Sequence, residues 1–369
     1  MTNAKIVENI QILLYKDNSS LLEKLDLEDD KPFLEPLLFT YFNAKNDKSL
    51  PKDVLEELMQ GYFMKKEPLN ISYSYGKELL AYLPELGYFN ESGQKVQECY
   101  IIKKTQIELL YRPFELLNYV FELASSDDTA NEIEMNTSLF EKFIPKIEKA
   151  FRLIKENCPQ HFKLIEQHCR RVVLFKTKPE ITNSFETINA LGMAFFNAYQ
   201  EDYDEIFFID DIAHQTGHII MTATLFERKK HFLIDENEII KKITQNETEY
   251  RSFYILFHAL YTYYTTLLCL DACLESRYFD KRQTHEAMGR IGFYLMKYKI
   301  DLTNFEKIIN YYKAVQNILS QEGLEIFKNI VERYFEMQNK YGNQVSVYNY
   351  NNQPYNFTYS NFIKLNPIN

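Results

Sequence analysis

Between Ser252 and Leu270 the chain reads SFYILFHALYTYYTTLLCL, 19 residues without a charged side chain, and few structures accommodate such a stretch. It is long enough to cross a bilayer. It also carries one His, four Tyr and three Thr, whose polar atoms a lipid-facing helix would leave unsatisfied and a core helix can aim at partners. The expectation is therefore a buried helix and no membrane partner. Helical spacing divides its surface: Arg251, Tyr254, His258, Thr262, Thr265 and Cys269 form a polar stripe, and large apolar residues make up the other faces. Such a stripe must point at something.

The remainder of the chain agrees with a globular core. Its 369 residues are 46% hydrophobic and 25% charged, which excludes disordered and fibrous classes and suits about two domains. A net charge of -10 without a basic stripe argues against nucleic acid as a partner. Five cysteines, an odd number without CxxC spacing, and an opening MTNAKIVENI without a basic-then-apolar signal lead to the expectation of a reduced, cytoplasmic protein.

Along the chain, residues 5 to about 124 carry an irregular helical pattern that includes Ile107 to Ala124. A polar boundary at Ser125 to Thr129 precedes an amphipathic stretch, Ser138 to Glu156. Two segments read as strands, Arg170 to Lys176 and Leu191 to Tyr199. Helical patterns then cover Asp204 to about Lys230, Glu247 to about Glu275 and Arg282 to about Lys297, with shorter ones to about Lys340. From Tyr341 onward the chain is rich in Asn and Tyr without a helical period, and reads as loosely ordered or laid over the surface. The expected fold is α+β and mostly α-helical, with a small β-sheet beside a helical metal-site core. The expected divisions are an N-terminal helical region (1–130), a metal-binding catalytic core (131–340) and a mobile C-terminal tail (341–369).

The sharpest local signal is HQTGH, in which His214 and His218 lie four apart in an apolar helical run. That spacing sets both imidazoles on one face about 6 Å apart, within reach of one metal ion. In the zinc peptidase pattern HExxH the second residue is a general base, but here it is Gln215, an amide with no basic lone pair at neutral pH. Hydrolysis by that route is disfavoured; metal binding is not. A hydrogen-bonded core pair is the plain alternative. On the uncharged helix, a buried Arg251 needs an anionic partner, and His258 can supply a third ligand to an ion held by another helix. In the alternative reading Arg251 pairs with a nearby acid and His258 bonds a backbone carbonyl. Asp211 suits orienting a ligand better than binding the ion, since the helical rise sets it about 10 Å from His218. His161, His168 and His231 read as solvated, and no spacing rule ties His285 to the site.

These residues resemble the HExxH-motif peptide-modification proteins, a family assigned as iron and 2-oxoglutarate-dependent peptide β-hydroxylases and found with ribosomally made peptide clusters. The likeness includes AFRLIKENCPQHFKLIEQH, the two strand-like segments before HQTGH, the helix opening YRSFYILFHALY, and SQEGLEIFKNIVERY, in that order from about Phe143 to Tyr334. The resemblance implies Fe(II) held by His214, His218 and His258, with Arg251 on a carboxylate of the co-substrate 2-oxoglutarate. It also implies a ribosomally synthesised precursor peptide as substrate. The departure is Gln215 in place of the family's Glu. Three imidazoles lack the carboxylate usual in such iron sites, and the oxo acid brings carboxylates of its own. Glu247 and Glu249 remain candidates for a carboxylate ligand. A metal-free peptide-binding or scaffold protein and a zinc hydrolase of altered mechanism are the rival classes.

Overall fold

The computed structural model describes residues 3–47, 50, 53–72, 80–124 and 132–368. With 58% helix and 10% strand in two small sheets, the protein is α+β and mostly helical, as the sequence leads one to expect. The chain divides into two units, residues 1–148 with 163–203 and residues 149–162 with 204–369.

The first unit holds helices α1 (Ala4–Asp17), α2 (Ser19–Leu22), α3 (Pro36–Asp47), α4 (Val54–Met59) and α5 (Glu115–Ala124), with parts of α6 (Thr137–Asn157) and α7 (Pro159–His168). Strands β1 (Leu80–Leu83), β2 (Gly87–Asn90) and β3 (Lys95–Gln97) form an antiparallel meander. Gly87 sits in this meander at φ +98°, where a Cβ would run into the Gln97 carbonyl, so both the backbone angle and the space require glycine. A second sheet contains β4 (Glu108–Leu110), β5 (Arg171–Phe175), β6 (Phe185–Glu186) and β7 (Met193–Asn197) in the order β4-β5-β7-β6, with β4, β5 and β7 parallel. Every residue of RVVLF in β5 and MAFFN in β7 is buried, which explains why these strands read as near-continuous apolar runs.

The N-terminal region is not wholly helical, since β1 to β4 lie within it. Ile107 to Ala124 is also not one helix. It is β4 followed by α5, and Pro113 lies between them, where its missing N–H and fixed φ oppose a continuous ladder. The polar boundary at Ser125 to Thr129 lies outside the described residues.

A buried ion cluster holds this unit together. Arg171 donates from one Nη to both oxygens of Glu35 at 2.6 and 2.8 Å, and from Nε to Glu108 Oε2 at 3.0 Å. Tyr82 donates to the same Glu108 oxygen at 2.6 Å, and Tyr62 donates to Glu35. The cluster joins the segment before α3 to β1, β4 and β5, elements far apart in sequence.

The second unit contains the rest of α6 and α7 with α8 (Glu205–Thr224), α9 (Lys241–Thr244), α10 (Phe253–Glu275), α11 (Lys281–Tyr312), α12 (Gln321–Val345) and α13 (Tyr359–Leu365). Side chains mark the starts: Asp204 caps α8, Ser252 caps α10, and Asp280 with Gln283 forms a capping box on α11. Helix α10 packs on α8, α11 and α12. It is the one helix among the described residues long and apolar enough to cross a membrane, and 67% of its most apolar window is buried.

Residues 341–368 are not a loose tail, because α12 extends to Val345 and the aromatics beyond it pack on α11. Phe357, Tyr359 and Phe362 form one buried cluster with Phe293. Asn349 and Asn366 exchange bonds of 2.8 and 2.9 Å, and the Tyr350 hydroxyl donates to the Gly289 carbonyl at 3.0 Å. His161, His168 and His231 are buried rather than solvated. Burial pushes His161 and His168 down to about 4, so both stay neutral at pH 7.

Candidate metal centre

Helix α8 delivers His214 and His218 on one face, and α10 brings His258 against them. The approach depends on the glycine between the two histidines, because a Cβ on Gly217 would run into Thr265 Oγ1. That hydroxyl crosses from α10 to donate to the Ala213 carbonyl of α8 at 2.9 Å. Gly217→Ala should therefore push the helices apart and destabilise the second unit by about 1–3 kcal/mol, measured as a lower denaturant midpoint; an unchanged midpoint would show that the close approach is dispensable.

The three imidazoles form a row. Ring centroids of His214 and His218 are 5.0 Å apart, and those of His218 and His258 are 4.8 Å apart. His258 Nε2 lies 3.1 Å from the His218 carbonyl oxygen. A carbonyl only accepts, so Nε2 carries the proton and Nδ1 keeps its lone pair. Thr266 Oγ1 lies 3.4 Å from His214 Nδ1, which leaves Nε2 as the other ring atom of His214 for an ion. His218 and His258 each offer a ring nitrogen within 4.8 Å of the other, and among the described residues no group of three or more His, Cys, Asp or Glu side chains that tight includes His214.

His258 is buried and His214 and His218 are half-buried. Burial pushes His214 down to about 3, with the positive charge of Lys297 adding to the effect. Burial holds His218 well below the ordinary value, helped by its two imidazole neighbours. His258 falls to about 4 because burial outweighs the favourable bond to the His218 carbonyl. Neutral imidazole is the form that binds metal, so this environment keeps ligands ready at neutral pH.

Gln215 is buried and donates to Asp211 at 3.4 Å, one turn back along α8, so the amide and the acid pair with each other. No carboxylate general base occupies the motif's second position.

The expected placement of Arg251 is corrected by the helix boundary. Helix α10 begins at Phe253 with Ser252 as its cap, so Arg251 lies before the helix and does not continue the His258 face. Its guanidinium is held by two acids. It donates to Glu249 at 2.9 and 2.6 Å and to Asp301 of α11 at 2.9 and 2.7 Å. The arrangement matches the alternative in which Arg251 pairs with nearby acids. It also engages Glu249, while Glu247 is exposed and pairs with Lys241 at 2.8 Å, so neither candidate carboxylate is held at the imidazoles. His285 bonds the Tyr359 hydroxyl at 3.1 Å and packs on Tyr348 and Phe362, away from the row.

Sequence reasoning missed Asp301, Thr266, Tyr294 and Lys297. Tyr294 packs against His214 with centroids 5.9 Å apart and donates to Asp210 at 2.8 Å. Asp210 also accepts from the buried Arg290, which bonds Glu286 within α11. In DEIFFIDDIAHQTGH an acid on the apolar face, four residues before His214, was the available signal for this brace. No protein-family model matches the chain, and no curated protein matches it.

Proposed function

We propose that the protein is a cytoplasmic, non-haem Fe(II)/2-oxoglutarate-dependent hydroxylase that acts on a β-carbon of a ribosomally synthesised precursor peptide, with His214, His218 and His258 as metal ligands. The observation that carries the reading is the row of three neutral imidazoles on α8 and α10, His258 buried and His214 and His218 half-buried, with an amide in place of the motif's carboxylate at position 215. The donor set suits a divalent first-row metal. When bound, iron and the oxo acid supply the oxidising chemistry, while the protein's residues orient the imidazoles. The His218 carbonyl fixes the His258 tautomer and Thr266 steadies His214. Gln215 cannot take a proton from water, which disfavours hydrolysis by the zinc peptidase route.

Two observations favour a second reading. The His258 bond to a backbone carbonyl and the double acid clamp on Arg251 are both arrangements a metal-free scaffold would also use. Anaerobic addition of Fe(II) and then 2-oxoglutarate separates the two. The hydroxylase reading expects a visible metal-to-ligand charge-transfer band; iron-loaded protein that develops no band on saturation with the oxo acid would contradict it.

Because Arg251 is already paired, Arg251→Ala is expected to lower the thermal midpoint by leaving Glu249 and Asp301 without their cation, at about 2–4 kcal/mol. The affinity of the folded fraction for 2-oxoglutarate should hold. A weaker co-substrate titration with an unchanged melt would instead return Arg251 to the co-substrate.

A further inference from the structure

On the polar stripe of α10, His258 and Thr265 turn to α8, and Thr262 bonds the Ala259 carbonyl of its own helix. The last member of the stripe, Cys269, turns to another cysteine. Its thiol donates to the sulfur of Cys158, and both residues belong to the second unit. Cys158 stands at the corner between α6 and α7. Its N–H donates to the Ile154 carbonyl at 2.7 Å, closing α6, and its carbonyl accepts from the Phe162 N–H at 2.9 Å, opening α7. Cys158 is thus the residue that caps α7, with Pro159 in the first helical position. Its sulfur accepts from the His161 backbone N–H, as a capping side chain does.

This corner sets Cys158 apart from the other four cysteines. The bond from Cys269 draws its thiol below the ordinary value, against burial; the His161 N–H and the charge of Arg333 help, and Asp271 opposes. Arg333 meets Asp271 and Glu336 at 3.4 Å, and its Nε is buried without an acceptor. Cys99, Cys169 and Cys273 are pushed up by burial, and Cys269 by its bond to Cys158 and then by burial. The thiolate is the nucleophile, so reactivity concentrates on Cys158. Cys158 is 9% exposed and Cys269 is fully buried, so a small oxidant meets Cys158 first.

We propose that Cys158 and Cys269 are a site of reversible oxidation by hydrogen peroxide, Cys158 attacking the oxidant and Cys269 closing a disulfide. The Cys158 thiolate attacks one peroxide oxygen: the S–O bond forms, the O–O bond breaks, and the departing hydroxide takes up the thiol's proton as water. A sulfenic acid remains. The Cys269 sulfur then displaces its oxygen: the S–S bond forms, the S–O bond breaks, and a second water carries off the Cys269 proton. The two sulfurs lose two electrons in all, and the peroxide gains them. No metal takes part, so the assignment is independent of the iron reading.

Treating the full chain with hydrogen peroxide in the presence of a chelator, then alkylating the remaining thiols and mapping peptides without reduction, tests this. Free thiols should fall from five to three, with Cys158 joined to Cys269, and dithiothreitol should restore all five. Cys269→Ser should lose the cross-link and leave Cys158 as a sulfenic acid that dimedone labels. Cys273→Ser, a change at the neighbouring buried cysteine, should keep the cross-link. The parent's own peptide map decides the matter even where a variant fails to fold. Five thiols surviving peroxide that consumes free cysteine in the same solution, a cross-link through any other cysteine, or oxidation of Cys158 that dithiothreitol does not reverse would overturn the assignment.

Discussion

Arg171→Ala is expected to unfold the first unit under conditions in which the parent chain is stable. The guanidinium is buried and holds Glu35 and Glu108, both also buried, so its removal leaves two carboxylates without their cation. Breaking a buried pair from one side costs about 3–5 kcal/mol, a large share of the 5–15 kcal/mol by which domains are stable. Arg171→Lys should recover only part, because a single ammonium cannot donate to Glu35 and to Glu108 in the planar geometry that Arg171 provides. The acid dependence supplies a second signature. Burial pushes Glu35 up, but Arg171 and the Tyr62 hydroxyl outweigh it, and its folded pKa lies below the ordinary 4.5. The parent therefore carries stability from this group above pH 4.5 and loses it as pH falls through the folded value. Without Arg171 the burial contribution dominates, the folded value rises above 4.5, and the sign reverses: a variant that stays folded should gain stability from this group as pH falls toward 4.5. Hydrogen exchange of β4 and β5 with denaturant melts at pH 7 and 5 checks both. A loss under 1 kcal/mol with an unchanged acid slope would show that the cluster is dispensable.

His218→Ala is expected to weaken Fe(II) binding by more than about 100-fold, beyond the 10–100-fold seen for partners outside the metal's own ligands. His218 is central in the row, with His214 on one side and His258 on the other. Its loss removes one of the proposed ligands, while the carbonyl that fixes the His258 tautomer is retained. Gln215→Glu should keep iron binding, since that side chain pairs with Asp211. Anaerobic equilibrium dialysis with a melting control measures both. Iron affinity unchanged in His218→Ala would remove it from the ligand set.

HQTGH and the uncharged Ser252 to Leu270 stretch were legible because helical spacing alone puts His214, His218 and His258 on definite faces, and the packing of α8 on α10 brings those faces together. Strands β5 and β7 were legible for the same local reason: burial on both faces demands a continuous apolar run. Arg251 was misplaced because helix spacing carries no information about where Ser252 caps the helix, and its partner Asp301 lies 50 residues on, in α11. Strands β1 to β4 are three or four residues long, too short for an alternation to stand out beside Ile107 to Ala124. The Arg171 cluster draws on residues 35, 62, 82 and 108, a meeting that only the tertiary fold produces. His161 and His168 stand among charged neighbours yet are turned inward, which composition does not reveal.

The central claim is that imidazoles on α8 and α10 hold the metal. X-ray absorption of the protein loaded anaerobically with one equivalent of Fe(II) tests it most directly, because imidazole ligands produce an outer-shell multiple-scattering pattern that carboxylate and water ligands lack. The account predicts that pattern at the strength of several imidazoles in the parent and its reduction in His218→Ala. Iron that binds without imidazole scattering, or a parent spectrum identical to that of His218→Ala, would contradict it.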